Sequence, residues 1–191
     1  IQLPDSVATI GYRAFENCAV LAEVQIPLNW NSCPSSNGYL SGQGAIFAGC
    51  TALKSIEVPE GMTSLPACAF RECNKVEEVK LPSTLKEIRS NAFQNCVSLK
   101  TITIPDSVET IGDYAFSGCS GLTAVTFGTG LTTMGIEAFR GCSGLTRVTL
   151  PDNLTAVSSS AFRDCAGLRS VTVGKNTTAI GNYAFSGCSG M

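Results

Sequence analysis

The chain has 191 residues, 44% of them hydrophobic and only 15% charged, with 13 basic against 15 acidic side chains and no histidine. That supports a continuous core under a surface of Ser, Thr, Gly and Asn, and it offers no basic stripe for a phosphate backbone, so nucleic acid is not an expected partner. The missing histidine removes Ser-His-Asp, Cys-His and Cys/His zinc arrangements, and no run approaches the roughly 18 apolar residues that would insert this segment directly into a bilayer.

In chain order, the first unit shows Ala14-Phe15 followed by Cys18. Ile46-Phe47 with Cys50 comes next. Six further copies follow at a spacing of 23 residues, from Ala69-Phe70 with Cys73 to Ala184-Phe185 with Cys188. A fixed period of this length marks a solenoid, in which each unit buries its apolar side only against its neighbours. We read one solenoid of eight units: 1–23, 24–55 with a nine-residue insertion, 56–78, 79–101, 102–124, 125–147, 148–170 and 171–191. The start at Ile1 in mid-strand pattern, and Met191 where other copies carry Leu122 or Leu145, are expected of a piece of a longer array.

Residues 102–124 serve as the type unit. Ile102 and Ile104 alternate with polar neighbours, the period of a half-buried strand. Pro105-Asp106 breaks that strand and opens a turn. Val108 and Ile111 begin a second extended segment, which Gly112 ends. Asp113 to Phe116 is read as one short helical turn with Asp113 near its start. Gly118 to Gly121 return the chain, and Leu122 re-enters the core. Stacked copies should place equal side chains in ladders about 4.8 Å apart, with Phe70, Phe93, Phe116, Phe139, Phe162 and Phe185 forming an aromatic spine.

The run Ile-Pro-Asp-Ser-Val, Ile-Gly, Ala-Phe, Cys and Leu at these offsets resembles the 23-residue leucine-rich repeat of the BspA-like family, over the whole chain apart from the insertion. The resemblance implies an α/β-type repeat solenoid: a right-handed array with a parallel sheet on the concave face and turns or short helical turns on the other. It also implies a cell-surface or secreted protein, with members acting as adhesins for host or microbial surface proteins. It carries over no catalytic residues.

Eight cysteines share one repeat position, which reads as a buried ladder of small, weakly polar side chains. Cys33 and Cys68 stand apart. No Cys-x-x-Cys pair exists, so no metal site is expected. A Cys33–Cys68 disulfide pinning the insertion is the expectation for an oxidising compartment. So many unpaired thiols also suit an anaerobic niche or the cytosol, so the chain alone does not fix the compartment.

The insertion carries Trp30, the single tryptophan, together with Tyr39. Insertions in solenoids map to loops on one face, often the binding face, and these residue types favour hot spots. The competing reading folds both rings back over the core. Two outward strand ladders complete the candidate surface. One runs Gln25, Glu57, Lys80, Thr103, Thr126, Thr149, Thr172, and the other Glu23, Ser55, Glu78, Thr101, Ala124, Arg147, Ser170. Threonine there serves β propensity, or a hydrogen-bonding surface for a protein or glycan.

No GxxxxGK[ST] loop is present, and Gly42-Gln43-Gly44 and Gly128-Thr129-Gly130 lack the context of a dinucleotide fingerprint. No catalytic residue and no cofactor is therefore assigned. The expected function is a non-catalytic protein-recognition module, with an architectural spacer or a carbohydrate-binding module as the alternatives.

Overall fold

The computed structural model describes residues 1–32 and 45–191. From Ser55 onward each repeat contributes two short strands, as the alternation around Ile102 and the Val108–Ile111 segment predict. The longer ones are β1 (Ser55–Glu57), β3 (Glu78–Lys80), β5 (Thr101–Thr103), β7 (Ala124–Thr126), β9 (Arg147–Thr149) and β11 (Ser170–Thr172). Between them lie β2 (Ser64–Leu65), β4 (Glu87–Ile88), β6 (Thr110–Ile111), β8 (Thr133–Met134), β10 (Ala156–Val157) and β12 (Ala179–Ile180). All pairings are parallel and offset by one repeat: Ser55 faces Glu78, Thr101 faces Ala124, Ser170 faces Arg147, and Ile88 lies between Leu65 and Ile111. Bridges Gln2–Gln25 and Thr9–Ser32 carry both ladders into the first units. The fold is a parallel-strand β-solenoid.

The expected helical turn at Asp113–Phe116 is not formed, and no helix occurs among the described residues. The backbone amides explain this. Ala115 and Ser117 N–H close tight turns onto Gly112 and Tyr114, whereas Tyr114, Phe116 and Gly118 N–H donate to Ile136, Ala138 and Arg140 of the next unit. A helix would need every amide to point along its own axis. Left-handed φ at Tyr114 (58°) and Gly118 (76°) turns alternate peptides outward and makes this segment a third inter-unit ladder. Asp113 likewise works between units: its Oδ1 accepts the Ile136 N–H at 2.8 Å.

The aromatic spine forms as expected. From Phe47 to Phe185 successive rings stack with centroids 5.0–5.8 Å apart and planes within 19°. Phe70 to Phe162 are fully buried. Burying each contributes about 1.5–3 kcal/mol. Beside the spine runs a ladder of thiols. Cys96, Cys119, Cys142 and Cys165 each donate S–H to the phenylalanine carbonyl of the preceding unit at 3.1–3.2 Å. That carbonyl already accepts the amide of its own unit's cysteine, as Phe93 does from Cys96. The thiol fills the second lone pair. A residue here must be small and apolar yet able to donate, which describes cysteine.

One level of order spans two units. Asp5, Glu60, Asp106 and Asp152 occupy the same repeat position in alternate units. Each carboxylate accepts the backbone N–H of the equivalent residue in the next unit: Leu28, Ser83, Thr129 and Lys175, at 2.7–3.0 Å. Those recipients are not acids, so their side chains clasp no amide of the following unit, although the Thr129 carbonyl accepts the Asn153 side-chain amide at 2.7 Å. The longer strands accordingly pair in twos, β1 with β3, β5 with β7 and β9 with β11. Val58, Ile104 and Leu150 N–H bond across each pair to Lys80, Thr126 and Thr172. The equivalent amides of Leu81 and Phe127, at the seams between pairs, bond to nothing among the described residues. Hydrogen exchange should therefore be fast at Leu81 and Phe127 and slow at Val58, Ile104 and Leu150. Equal protection at all five, read by NMR, would contradict the two-unit pairing.

Candidate functional site

Nine of the sequence-selected residues converge on one surface. Glu57, Glu78, Lys80, Thr101, Thr103, Thr126, Arg147, Thr149 and Thr172 lie on the longer strands with their side chains exposed, while the residue between each outward pair turns into the core. The alternation places them there, because successive strand side chains point to opposite faces.

Trp30 does not join that surface. It is 1% exposed, its indole N–H donates to the Ser32 carbonyl at 2.9 Å, and its ring meets Phe70 edge-on at 5.9 Å. Trp30 occupies the core position held by Val108 and Leu131 in other units and packs as they do. Ile26-Pro27-Leu28-Asn29-Trp30 aligned on Ile104-Pro105-Asp106-Ser107-Val108 would have revealed this. Tyr39 and Cys33 lie outside the described residues, and so does the Cys33–Cys68 pairing; Cys68 itself is half-buried at a left-handed φ of 58°.

Four open depressions run along the strand face. Two of about 460 Å³ and 400 Å³ sit at the seam between Gln25 and Glu57, lined by Asp5, Leu28, Glu57 and Glu60 and by Glu23, Gln25 and Ser55. A third, about 460 Å³, sits at the seam between β3 and β5, lined by Glu78, Leu81, Thr101, Thr103 and Pro105. These three lie where no carboxylate clasp joins the adjoining units. The fourth, about 500 Å³, is lined by Thr146, Arg147, Arg169 and Ser170. Arg169 was missed in the sequence because two strand ladders were read and not the exposed position before each strand.

Charge is graded along the face. Glu23, Glu57, Glu77 and Glu78 crowd the first units with Lys54 and Lys80. The Lys80 ammonium is held above its usual value by its hydrogen bond to Glu57 at 2.6 Å. From Lys100 onward the two outward ladders and the position preceding them carry Lys100, Arg147 and Arg169 and no carboxylate.

The thiols are the chain's other reactive groups. Burial pushes Cys165 up to about 12. Burial again, reinforced by neighbouring groups, drives Cys73, Cys96 and Cys142 upward as well. At neutral pH these sulfurs are protonated core donors and poor nucleophiles. Among the described residues no cluster of three or more potential ligands could hold a metal ion, and no helix is long and apolar enough to cross a membrane.

Parallel short strands at a 23-residue offset, stacked on a phenylalanine spine, define a leucine-rich-repeat solenoid. The chain belongs to the BspA-type leucine-rich-repeat family, whose repeat region matches residues 1–37, 43–165 and 69–191. Among solved structures it is similar to a leucine-rich-repeat protein from T. pallidum, at 25% identity and a TM-score of 0.73, covering 100% of this chain and 77% of that one. A leucine-rich-repeat protein from Eubacterium ventriosum shares the fold at 21% identity and a TM-score of 0.60, covering 98% of this chain and 58% of that one. No protein of curated function matches.

Proposed function

We propose that the chain is a non-catalytic protein-recognition module, working as part of a cell-surface or secreted adhesin and presenting its longer-strand face to a protein ligand. The observation that carries this reading is that open depressions line that face, over side chains that the core does not use. Membership of a leucine-rich-repeat family supports it. The surface location rests on the BspA-like resemblance. A protein ligand is favoured over a glycan because no aromatic ring stands on the outward ladders, so a sugar finds no stacking platform there.

The test is retention of a protein ligand by the immobilised chain. Thr103→Glu with Thr126→Glu, and Glu57→Lys with Glu78→Lys, should abolish retention. Ser120→Glu with Ser143→Glu, on exposed turns away from the strands, should leave it intact. Retention indifferent to the strand-face reversals would leave an architectural spacer as the better reading.

A further inference from the structure

The chain has seven arginines. Arg13, Arg71, Arg89, Arg140 and Arg163 each hold a carboxylate within 3.6 Å. Arg147 and Arg169 hold none among the described residues, and make no side-chain hydrogen bond. These two are neighbours. Arg147 opens β9 opposite Ser170, and the Arg169 N–H donates to the Thr146 carbonyl at 2.9 Å, so the two residues sit diagonally across adjacent units. Together with Thr146 and Ser170 they are the whole lining of one depression.

A guanidinium is the side chain best shaped to take a carboxylate through two parallel hydrogen bonds. Two of them, exposed and unneutralised, with a hydroxyl on each side, make a receptor for paired anionic oxygens. No acid on the ladders from Lys100 onward competes for them. We propose that Arg147 and Arg169 form the anchor of the strand face and take the carboxylates of an acidic protein segment. The acidic first units, at the other end of the face, would orient that segment so that its carboxylates meet the arginines. This rests on the strand-face reading and adds the chemistry of the partner.

The test is a titration of the chain with a fluorescein-labelled peptide of alternating glutamate and threonine, followed by anisotropy. Binding should weaken as salt rises. Arg147→Ala or Arg169→Ala should each weaken it roughly tenfold, the double variant should abolish it, and a glutamine–threonine peptide should not bind. Both side chains are exposed and unengaged, so the variants should melt like the parent, and circular dichroism checks this. A peptide that fails to bind, or binds the double variant equally well, overturns the proposal. So does a sulfated oligosaccharide that binds through the same arginines while the peptide does not. If strand-face reversals abolish ligand retention but the arginine variants do not, the anchor fails and the strand-face reading stands.

Discussion

Phe116→Ala is expected to lower the free energy of unfolding by about 3–5 kcal/mol. The ring is fully buried and stacks on both sides, 5.2 Å from Phe93 and 5.0 Å from Phe139. Its loss removes contacts from three units and leaves a cavity that two rigid ladders cannot close. The Phe116 carbonyl also accepts the Cys142 thiol at 3.2 Å, so a backbone shift there disturbs the sulfur ladder. In a solenoid each unit is supported only by its neighbours, so a weak central unit uncouples the two halves. Phe185→Ala, at a half-buried ring with a stacking partner on one side, should cost clearly less. Urea unfolding of both variants checks the order; a Phe116→Ala cost below about 1 kcal/mol would be incompatible with a filled spine.

Raising the pH above about 9 should destabilise the fold steeply. The buried thiols Cys73, Cys96, Cys142 and Cys165 all titrate higher in the folded chain than the ordinary cysteine value of 9.0. A folded-state value above the unfolded one gives stability that is complete below the unfolded value. It is lost as pH rises towards the folded one, because the unfolded chain releases protons that the folded chain must keep. Each thiol then costs about 1.4 kcal/mol per pH unit, and four together about 5.5 kcal/mol per pH unit. The Lys80–Glu57 and Lys175–Asp152 pairs also weaken in alkali, but they are exposed and contribute little. Unfolding measured near neutrality and near pH 10 checks the slope, and Cys142→Ala with Cys165→Ala should flatten it. An alkaline profile unchanged by that double variant would place the sulfurs in solvent.

Much of this architecture was legible in the residues. Ala-Phe and Cys at a constant spacing gave the stacking, and the alternation at Ile102 and Ile104 gave the outward ladders. The turn after Gly112 was not legible. Asp113 to Phe116 has the composition of a helical turn, and only the neighbouring unit, which captures the Phe116 amide, decides otherwise. Trp30 was left between two readings for the opposite reason: the register was readable, but a lone tryptophan beside an insertion also suggests a binding loop. The alternation of Asp5, Glu60, Asp106 and Asp152 with Leu28, Ser83, Thr129 and Lys175 was present too. A single type unit averages it away, and with it the pairing of units in twos. The isolation of Arg147 and Arg169 depends on which carboxylates the other five arginines reach, and no linear pattern records that.

The solenoid requires equal positions of successive units to meet in space. Ring-to-ring nuclear Overhauser effects in a sample with labelled phenylalanine measure this directly. Cross-peaks are expected to link Phe93 to Phe116 and Phe116 to Phe139, the pairs stacked at 5.2 Å and 5.0 Å, with none from Phe93 to Phe139. Absence of the first two, or contacts that skip a unit, would contradict it.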